Sequence, residues 1–223
     1  YVNKTSPYVD QNQAYGSHDA VTDLLRKWEA GVNGPTQTAY LLTGYEEGDT
    51  GRFLLPTLDH VRDNYRIMTN GGELTAADIY DYRDPETGHL TGQSLLIDFI
   101  PRFTNGVLDL DAIGHYYIAG DGRLNENVML TSIHTIWARN HNFWVDKLKF
   151  ETGGSWSEDQ YFEAARIMNI AEYQRVVFTE FAEAIAGGLG DDDSGPDSEH
   201  GFKGYDPNVD ASISIEFAHA AFR

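Results

Sequence analysis

Residues 119–142 read AGDGRLNENVMLTSIHTIWARNHN, a pattern that predicts a glycine-marked loop followed by a helix. The loop places Arg123 and Glu126 three positions apart, and the helix carries His134 and His141 among apolar residues. Such polar groups on a partly apolar helix indicate either a functional site or a buried hydrogen-bond network. This stretch therefore holds the best candidate site in the chain.

The helix predicted here covers residues 127–150 and is the strongest in the sequence. Gly153–Gly154 end it, and Ser157 with Gln160 forms a capping box for a second long helix that runs to Gly187. The apolar face of the first helix is assigned to Leu130, Ile133, Trp137, Trp144, Val145 and Leu148.

The rest of the chain reads as loops and shorter helices. A helix is predicted over residues 18–30, irregular structure over 31–72 and a short helix over 75–83. Residues 101–114 are loop-like, and residues 211–223 have an apolar, helical pattern. With no repeat and no convincing series of hairpins, the sequence predicts a mainly α fold with long loops.

The composition argues against several classes of function. The formal net charge of −19 disfavours nucleic acid and anionic membrane surfaces as partners, because both require positive charge. The absence of cysteine excludes disulfides, thiolate metal sites and cysteine nucleophiles. No apolar run approaches the roughly 20 residues that span a bilayer, and no signal peptide is evident in this stretch.

Arg123 and Glu126 allow two interpretations. An arginine in a pocket can polarise a bound oxygen species, and a nearby carboxylate can bind a cation, act as a base or couple to a cofactor. Alternatively, Glu126 is a carboxylate favoured by the dipole of the following helix, and Arg123 is an ordinary surface residue. On spacing alone the second interpretation is favoured.

His134 and His141 lie seven positions apart and so share a helix face. Zinc-binding pairs on a helix use a spacing of four, so a shared metal ion is not expected. We predict that both are buried, hydrogen-bonding histidines, and that Arg139 and Asn142 fix neighbouring loops.

Two acidic or oxygen-rich stretches are candidate cation sites. The donors at Ser6, Tyr8 (through its carbonyl), Asp10 and Asn12 alternate and can wrap Ca²⁺, although an extended polar loop explains the same pattern. The acidic run 191–199 fails as an EF-hand because phenylalanine stands where the terminal glutamate belongs, and it reads as a solvated loop.

Three segments, in order along the chain, resemble the animal-type haem peroxidases, the superfamily of myeloperoxidase and lactoperoxidase, and particularly its bacterial branch. TSPYVDQNQAYGSHDAVTDLLR resembles the calcium loop and following helix of that family. AGDGRLNENVMLTSIHTIWARNHN resembles its distal-side signature, and GYDPNVDASISIEFAHAAFR resembles the segment that leads to the proximal histidine.

The resemblance implies a role for each matching residue. Arg123 matches the distal arginine that assists cleavage of the peroxide O–O bond, and Glu126 matches the glutamate that can form an ester with a haem methyl. The implied calcium ligands are Ser6, Tyr8, Asp10 and Asn12, with Tyr8 acting through its carbonyl.

The chain also departs from the family pattern. Asn127 stands where myeloperoxidase has the methionine that forms a sulfonium link to haem, so this link is not expected. The distal and proximal histidines would lie before residue 1 and after residue 223, and none of the eight histidines present matches them. We therefore expect a single domain over residues 1–223 that is truncated at both ends relative to the family.

The resemblance implies a haem peroxidase that reduces hydrogen peroxide and oxidises a halide, an organic donor or Mn(II). Other segments or chains would complete the haem site, the isolated chain would be inactive, and the protein would be secreted. Two alternatives stay open: a non-catalytic calcium-binding or adhesive module on the same fold, and an oxygenase that uses a tyrosyl radical.

Overall fold

The chain forms two compact units, of which the larger contains residues 11–169 and the smaller residues 1–10 with 170–223. The single domain expected over residues 1–223 remains a prediction. The computed structural model describes residues 8–17, 19–44, 54–75, 78, 80–83, 90–94, 103–104, 107–186, 206–210, 212–214, 216 and 220. Ser6, the acidic run 191–199 and most of the helix predicted over 211–223 lie outside the described residues.

In the part of the chain that the structure describes, the larger unit contains helices and three two-stranded antiparallel hairpins. Its elements, in order, are α1 (Asn12–Tyr15), α2 (Asp19–Leu25), β1 (Arg26–Gly31), β2 (Gly34–Leu41), α3 (Leu58–Met68), β3 (Tyr80–Arg83), β4 (Leu90–Ser94), β5 (Phe103–Thr104), β6 (Val107–Leu108), α4 (Val128–Thr152) and the first part of α5 (Glu158–Val176), whose residues from 170 onwards belong to the smaller unit. The two longest helices dominate this list, which agrees with the mainly α prediction.

The helix predicted over residues 18–30 is wrong in its second half. The helix α2 ends at Leu25, and the chain turns into the hairpin β1–β2, in which Gly31 faces Gly34. A residue of α3 explains why a strand forms here in place of the predicted helix. The Asn64 side chain accepts from the Trp28 backbone N–H (2.8 Å) and donates to the Arg26 carbonyl (2.8 Å). These long-range bonds favour the extended backbone over a helix.

The irregular structure predicted over residues 31–72 is also wrong, because this range contains β2 and α3. Helix α3 begins at a reciprocal cap between Thr57 and His60, in which histidine takes the place of the usual glutamate or glutamine. The short helix predicted over 75–83 is wrong from Tyr80 onwards, where strand β3 begins. The predicted contact at its start is present, since Asp78 accepts from the Thr75 N–H (2.8 Å), and residues 76, 77 and 79 lie outside the described residues.

The long helices α4 and α5 confirm the sequence predictions. The Asn127 side chain caps α4 by accepting from the backbone N–H groups of Met129 and Leu130, both at 3.0 Å. The predicted capping box of α5 is present between Ser157 and Gln160.

The buried face of α4 differs from the predicted apolar face. Ile133 is exposed, whereas the buried residues of the helix are His134, Ala138, His141 and Val145. Their spacing of four, three and four residues is that of one helix face. The prediction that both histidines are buried is therefore confirmed, and the apolar pattern was misleading because polar side chains occupy the core face.

His141 joins three elements in a buried network. Its Nε2–H donates to the Ala39 carbonyl (2.9 Å), so its Nδ1 accepts from the Tyr15 hydroxyl (2.9 Å). The Tyr15 hydroxyl in turn accepts from Asn169 Nδ2 (2.8 Å), and Asn169 Oδ1 accepts from Asn140 (3.0 Å). Every one of these contacts links elements far apart in sequence, so the network fixes α1, β2, α4 and α5 together.

The outer edge of β2 is satisfied by side chains rather than by a third strand. Asn142 accepts from the Leu41 N–H (2.8 Å) and donates to the Leu41 carbonyl (3.0 Å). The Ala39 N–H donates to Glu158 (2.7 Å), and the Ala39 carbonyl accepts from His141 (2.9 Å). Asn142 therefore holds a strand edge, where the sequence had suggested a loop.

The smaller unit continues the second long helix. After α5 the chain forms a π-helical segment, Val177–Phe181, and then α6 (Ala182–Ala186), which agrees with the predicted helix up to residue 187. Within this unit the Gln174 side chain donates to the Val9 carbonyl (2.8 Å). None of the helices in the described part of the chain combines the length and apolarity that crossing a bilayer requires.

The stability of the chain should fall in mild acid through His141. Burial lowers the pKa of His141 to about 4, and the positive charges of Arg26 and Arg166 act in the same direction, against the hydrogen bond to Ala39. Between pH 4 and the ordinary value of about 6.5, the unfolded chain binds a proton that the folded chain does not. This group therefore contributes about 3 kcal/mol above pH 6.5 that is lost as the pH falls to 4.

Urea unfolding of the parent and His141→Gln chains at several pH values between 4 and 7 measures this contribution. We expect the substitution to flatten the dependence of the unfolding free energy on pH. His115→Gln, at an exposed position, is the control and should keep the parental slope. An NMR titration of the His141 ring in the parent adds a direct test, and protonation of that ring near pH 6.5 would contradict the assignment.

Candidate functional site

The loop before α4 is anchored on both sides of Arg123. Gly120 donates its N–H to the Gln13 carbonyl (3.0 Å), and a Cβ at this position would collide with the backbone of Asn12 and Gly16. The Asn125 side chain accepts from the Tyr117 N–H (3.2 Å) and donates to the Tyr117 carbonyl (2.8 Å). The loop therefore presents its side chains from a backbone held close to the core.

Within this loop Arg123 forms a two-point ion pair with Asp121. Its Nε and Nη2 donate to the two carboxylate oxygens at 3.0 and 2.6 Å, and its backbone N–H donates to Oδ1 at 2.9 Å. The Asp121 side chain is 17% exposed, whereas that of Arg123 is 53% exposed. Sequence reasoning missed Asp121, although an aspartate two residues before an arginine in a glycine-rich loop is a signal for such a turn.

Burial and Arg123 shift the pKa of Asp121 in opposite directions. Burial opposes its ionisation, but the hydrogen bonds from Arg123 outweigh burial and leave the pKa of Asp121 below its ordinary value. When the His134 ring is protonated, its charge lowers the pKa of Asp121 further. The carboxylate is therefore ionised at neutral pH and paired with Arg123.

His134 lies behind this ion pair on the buried face of α4. Its Nδ1–H donates to the Leu130 carbonyl (2.7 Å), while its Nε2 is buried and makes no hydrogen bond in the described part of the chain. Burial lowers the pKa of His134, although the Leu130 carbonyl and Asp121 act in the opposite direction. The ring is therefore neutral at physiological pH.

Glu126 occupies the same loop turn as Arg123. Its backbone N–H donates to the Arg123 carbonyl (2.9 Å), and its side chain is exposed. The first turns of α4 beside it expose apolar side chains, with Val128 at 77% and Met129 at 69% exposure. The structure thus brings Arg123 and Glu126 together on one exposed loop next to an apolar surface.

The four predicted calcium ligands are described only in part. Tyr8 is exposed and Asp10 is partly buried in the smaller unit, and Asn12 belongs to α1 of the larger unit, where its side chain donates to the Ser17 hydroxyl (3.4 Å). Among the described residues, no group of three or more His, Asp or Glu side chains could hold a metal ion. A loop built from hydroxyl, carbonyl and amide oxygens is a different class of site.

The described residues are suited to contact the edge of a haem, and they are not suited to bind its iron. A haem edge packs against apolar side chains and takes cationic or hydrogen-bonding groups at its rim, and exposed groups of both kinds are present at the start of α4 and on the loop that carries Arg123. Both ring nitrogens of His141 are engaged, and the Nε2 of His134 is enclosed within the fold. Neither of these two histidines can therefore bind an iron at this surface.

A separate open cavity of about 800 Å³ lies along the middle of α4. Tyr40, Arg139, Phe143 and Asp146 are among its lining residues, and Arg123 and Glu126 are not. The cavity is therefore distinct from the candidate haem edge.

Comparison with known proteins gives a consistent result. The model of the family described as animal haem peroxidase matches residues 73–223, a range that includes Arg123 and Glu126 but not the candidate calcium loop. Peroxidase mlt-7 of Caenorhabditis elegans is 35% identical over 151 residues, which is 66% of this chain and 20% of that protein. Peroxidasin of Drosophila melanogaster is 36% identical over 107 residues, which is 48% of this chain and 7% of that protein.

The fold agrees with this match. Peroxidase A from Dictyostelium discoideum has a TM-score of 0.57 and 22% sequence identity, and the similarity covers 96% of this chain but 30% of that protein. The chain thus spans a fifth or less of the nematode and fly relatives and under a third of the structural neighbour. On the family match and these relatives, the chain belongs to the animal haem peroxidase family.

Proposed function

We propose that the chain forms part of a haem peroxidase that reduces hydrogen peroxide and oxidises a small donor. One observation carries the proposal: the family match includes a loop on which Arg123 and Glu126 lie together, exposed, beside an apolar surface. The donor is a halide, an organic molecule or Mn(II). Further segments or chains supply the histidines that bind and flank the iron.

Haem, when bound, supplies the redox chemistry, and the residues of this chain bind and orient the reactants around it. Arg123 donates hydrogen bonds to the peroxide and stabilises the negative charge that develops on the departing oxygen. The exposed apolar side chains at the start of α4 would exclude water from one edge of the haem. Glu126, on the same loop, would hold the haem through an ester to a ring methyl. Forming it replaces a methyl C–H bond by a C–O bond, and hydrogen peroxide would take up the two electrons and two protons released, giving water.

We also propose a Ca²⁺ ion held by Ser6, Tyr8, Asp10 and Asn12, and a secreted protein. The alternating oxygen donors of this segment support the ion, because Ca²⁺ prefers six to eight oxygen ligands of mixed type. The resemblance of the segment to the calcium loop of the family supports the same assignment.

Substitution of Arg123 tests the central role. In the haem-loaded protein, Arg123→Ala should slow the reaction with hydrogen peroxide by roughly 100-fold, the usual loss when one preorganised donor to a developing oxyanion is removed. Stopped-flow measurement of the Soret band gives the rate constant and the haem content together. Arg62→Ala, which removes a cation from α3, is the control, and equal rates in the Arg123→Ala and Arg62→Ala variants would refute the role.

Substitution of Glu126 tests the ester. The amide of Glu126→Gln cannot form the bond, so acid solvent should extract all haem from this variant and leave haem attached in the parent. Mass spectrometry of the peptide containing residue 126 locates the bond. Complete extraction from the parent protein would show that no ester exists.

Substitution of Asp10 tests the cation site. Asp10→Ala removes the carboxylate among the proposed ligands and should lower both the calcium content and the melting temperature, because a bound ion stabilises only the folded state. Elemental analysis and calorimetry measure the two effects. Asp63→Ala, at an exposed position of α3, serves as the control, and an unaltered calcium content in Asp10→Ala would rule out the site.

A further inference from the structure

The carboxylate of Asp121 restrains Arg123 at three points. It accepts from the backbone N–H, from Nε and from Nη2 of the same residue, at 2.9, 3.0 and 2.6 Å. The backbone contact fixes the turn, and the two guanidinium contacts fix the plane of the side chain. A long side chain that is half exposed would otherwise sample many rotamers.

The carboxylate is itself held in place. Gly120, immediately before it, packs against α1 at a distance that leaves no space for a side chain. Leu124, on its other side, is fully buried, and its carbonyl accepts from the Thr131 hydroxyl of α4 (2.8 Å). Asp121 is thus a fixed point on the core, and Arg123 extends from it towards solvent.

Stability does not explain this ion pair. Pairs with one exposed partner contribute little to folding, because solvent screens the charges and ordering the side chains costs entropy. The geometry instead defines a direction: Nε and Nη2 form the edge of the guanidinium that faces Asp121. The opposite edge, formed by the Nη1 side of the group, points away from the carboxylate.

We propose that Asp121 is a positioning residue, which orients the guanidinium of Arg123 so that its outer edge faces the ligand at the haem site. The inference rests on the proposed peroxidase function. It assigns Asp121 no contact with haem or peroxide, since the carboxylate acts only through Arg123.

The orientation can be measured in the 223-residue chain without haem. In ¹⁵N-labelled protein, the Nε–H signal of Arg123 is assigned by its loss in Arg123→Lys. Asp121→Asn keeps the size of the side chain but removes its charge: the amide NH₂ replaces the oxygen that accepts from Nη2, and a neutral carbonyl replaces the charged oxygen that accepts from Nε. We expect exchange of this N–H with water to become about tenfold faster, because a neutral acceptor holds the N–H less strongly than a charged one and the second contact to the guanidinium is lost.

A matched control is available in the same unit. Asp111 accepts from Arg62 at 2.8 Å on the surface, so Asp111→Asn also breaks an aspartate–arginine pair. This variant should leave the exchange of the Arg123 Nε–H unchanged. Equal exchange rates in the parent and Asp121→Asn chains would overturn the proposal.

The haem-loaded protein tests whether Asp121 acts through Arg123. Asp121→Asn should slow the reaction with hydrogen peroxide about tenfold at unchanged haem content, and Asp111→Asn should not. In an Arg123→Ala background, Asp121→Asn should cause no further loss, because the residue it positions is gone. An equal loss in both backgrounds would overturn the proposal.

The N–H exchange and the peroxide reaction together distinguish a failure of the role of Asp121 from a failure of the proposed function. If Arg123→Ala leaves the peroxide reaction unchanged, the proposed role of Arg123 falls. The exchange of the Nε–H in the haem-free chain then still decides whether Asp121 orients Arg123.

Discussion

The outer edge of β2 sets the constraint on which the larger unit depends. A strand in a two-stranded hairpin leaves one row of backbone N–H and carbonyl groups without a partner strand. Here the row at Ala39 and Leu41 faces α4 and the start of α5, away from water, and each unsatisfied group would cost about 1–3 kcal/mol. His141, Asn142 and Glu158 satisfy these groups, so the helices cannot shift along the strand without breaking hydrogen bonds.

This constraint also determines where the candidate site lies. The second half of α4 is fixed to β2 through His141 and Asn142, and the helix is rigid, so its first turn is fixed as well. Asn127 begins the helix, and the loop carrying Arg123 ends there. Burial changes along the helix accordingly: its middle is held in the core, while Val128 and Met129 at its start expose apolar surface. A helix held at its middle can therefore expose apolar side chains at its start without losing its position.

The sequence predicted the elements that local signals define and missed those that distant residues define. Helices α4 and α5 carry their own caps, Asn127 and Ser157, next to long helical patterns, so they could be located correctly. Strand β1 has a helical pattern of its own, and it is extended because Asn64, far along the chain, bonds to its backbone. Likewise, the buried face of α4 could not be deduced from hydrophobicity, because His134 and His141 occupy it. Arg123 and Glu126 were found through resemblance to a family, since their spacing alone did not distinguish a site from an ordinary surface.

The two carboxylates that flank Arg123 have different surroundings, and these surroundings separate their roles. Asp121 is mostly buried and is committed to Arg123 through three hydrogen bonds, so forming an ester there would break the ion pair and leave the arginine unrestrained. Glu126 faces solvent beside Met129, where bonding to a cofactor would disturb no described contact of its side chain. The same loop thus contains one carboxylate that holds the arginine and one whose exposed side chain is left for the proposed bond to haem. Exchanging the two positions would lose both properties, because only Asp121 has the anchored backbone and only Glu126 lies at the apolar surface.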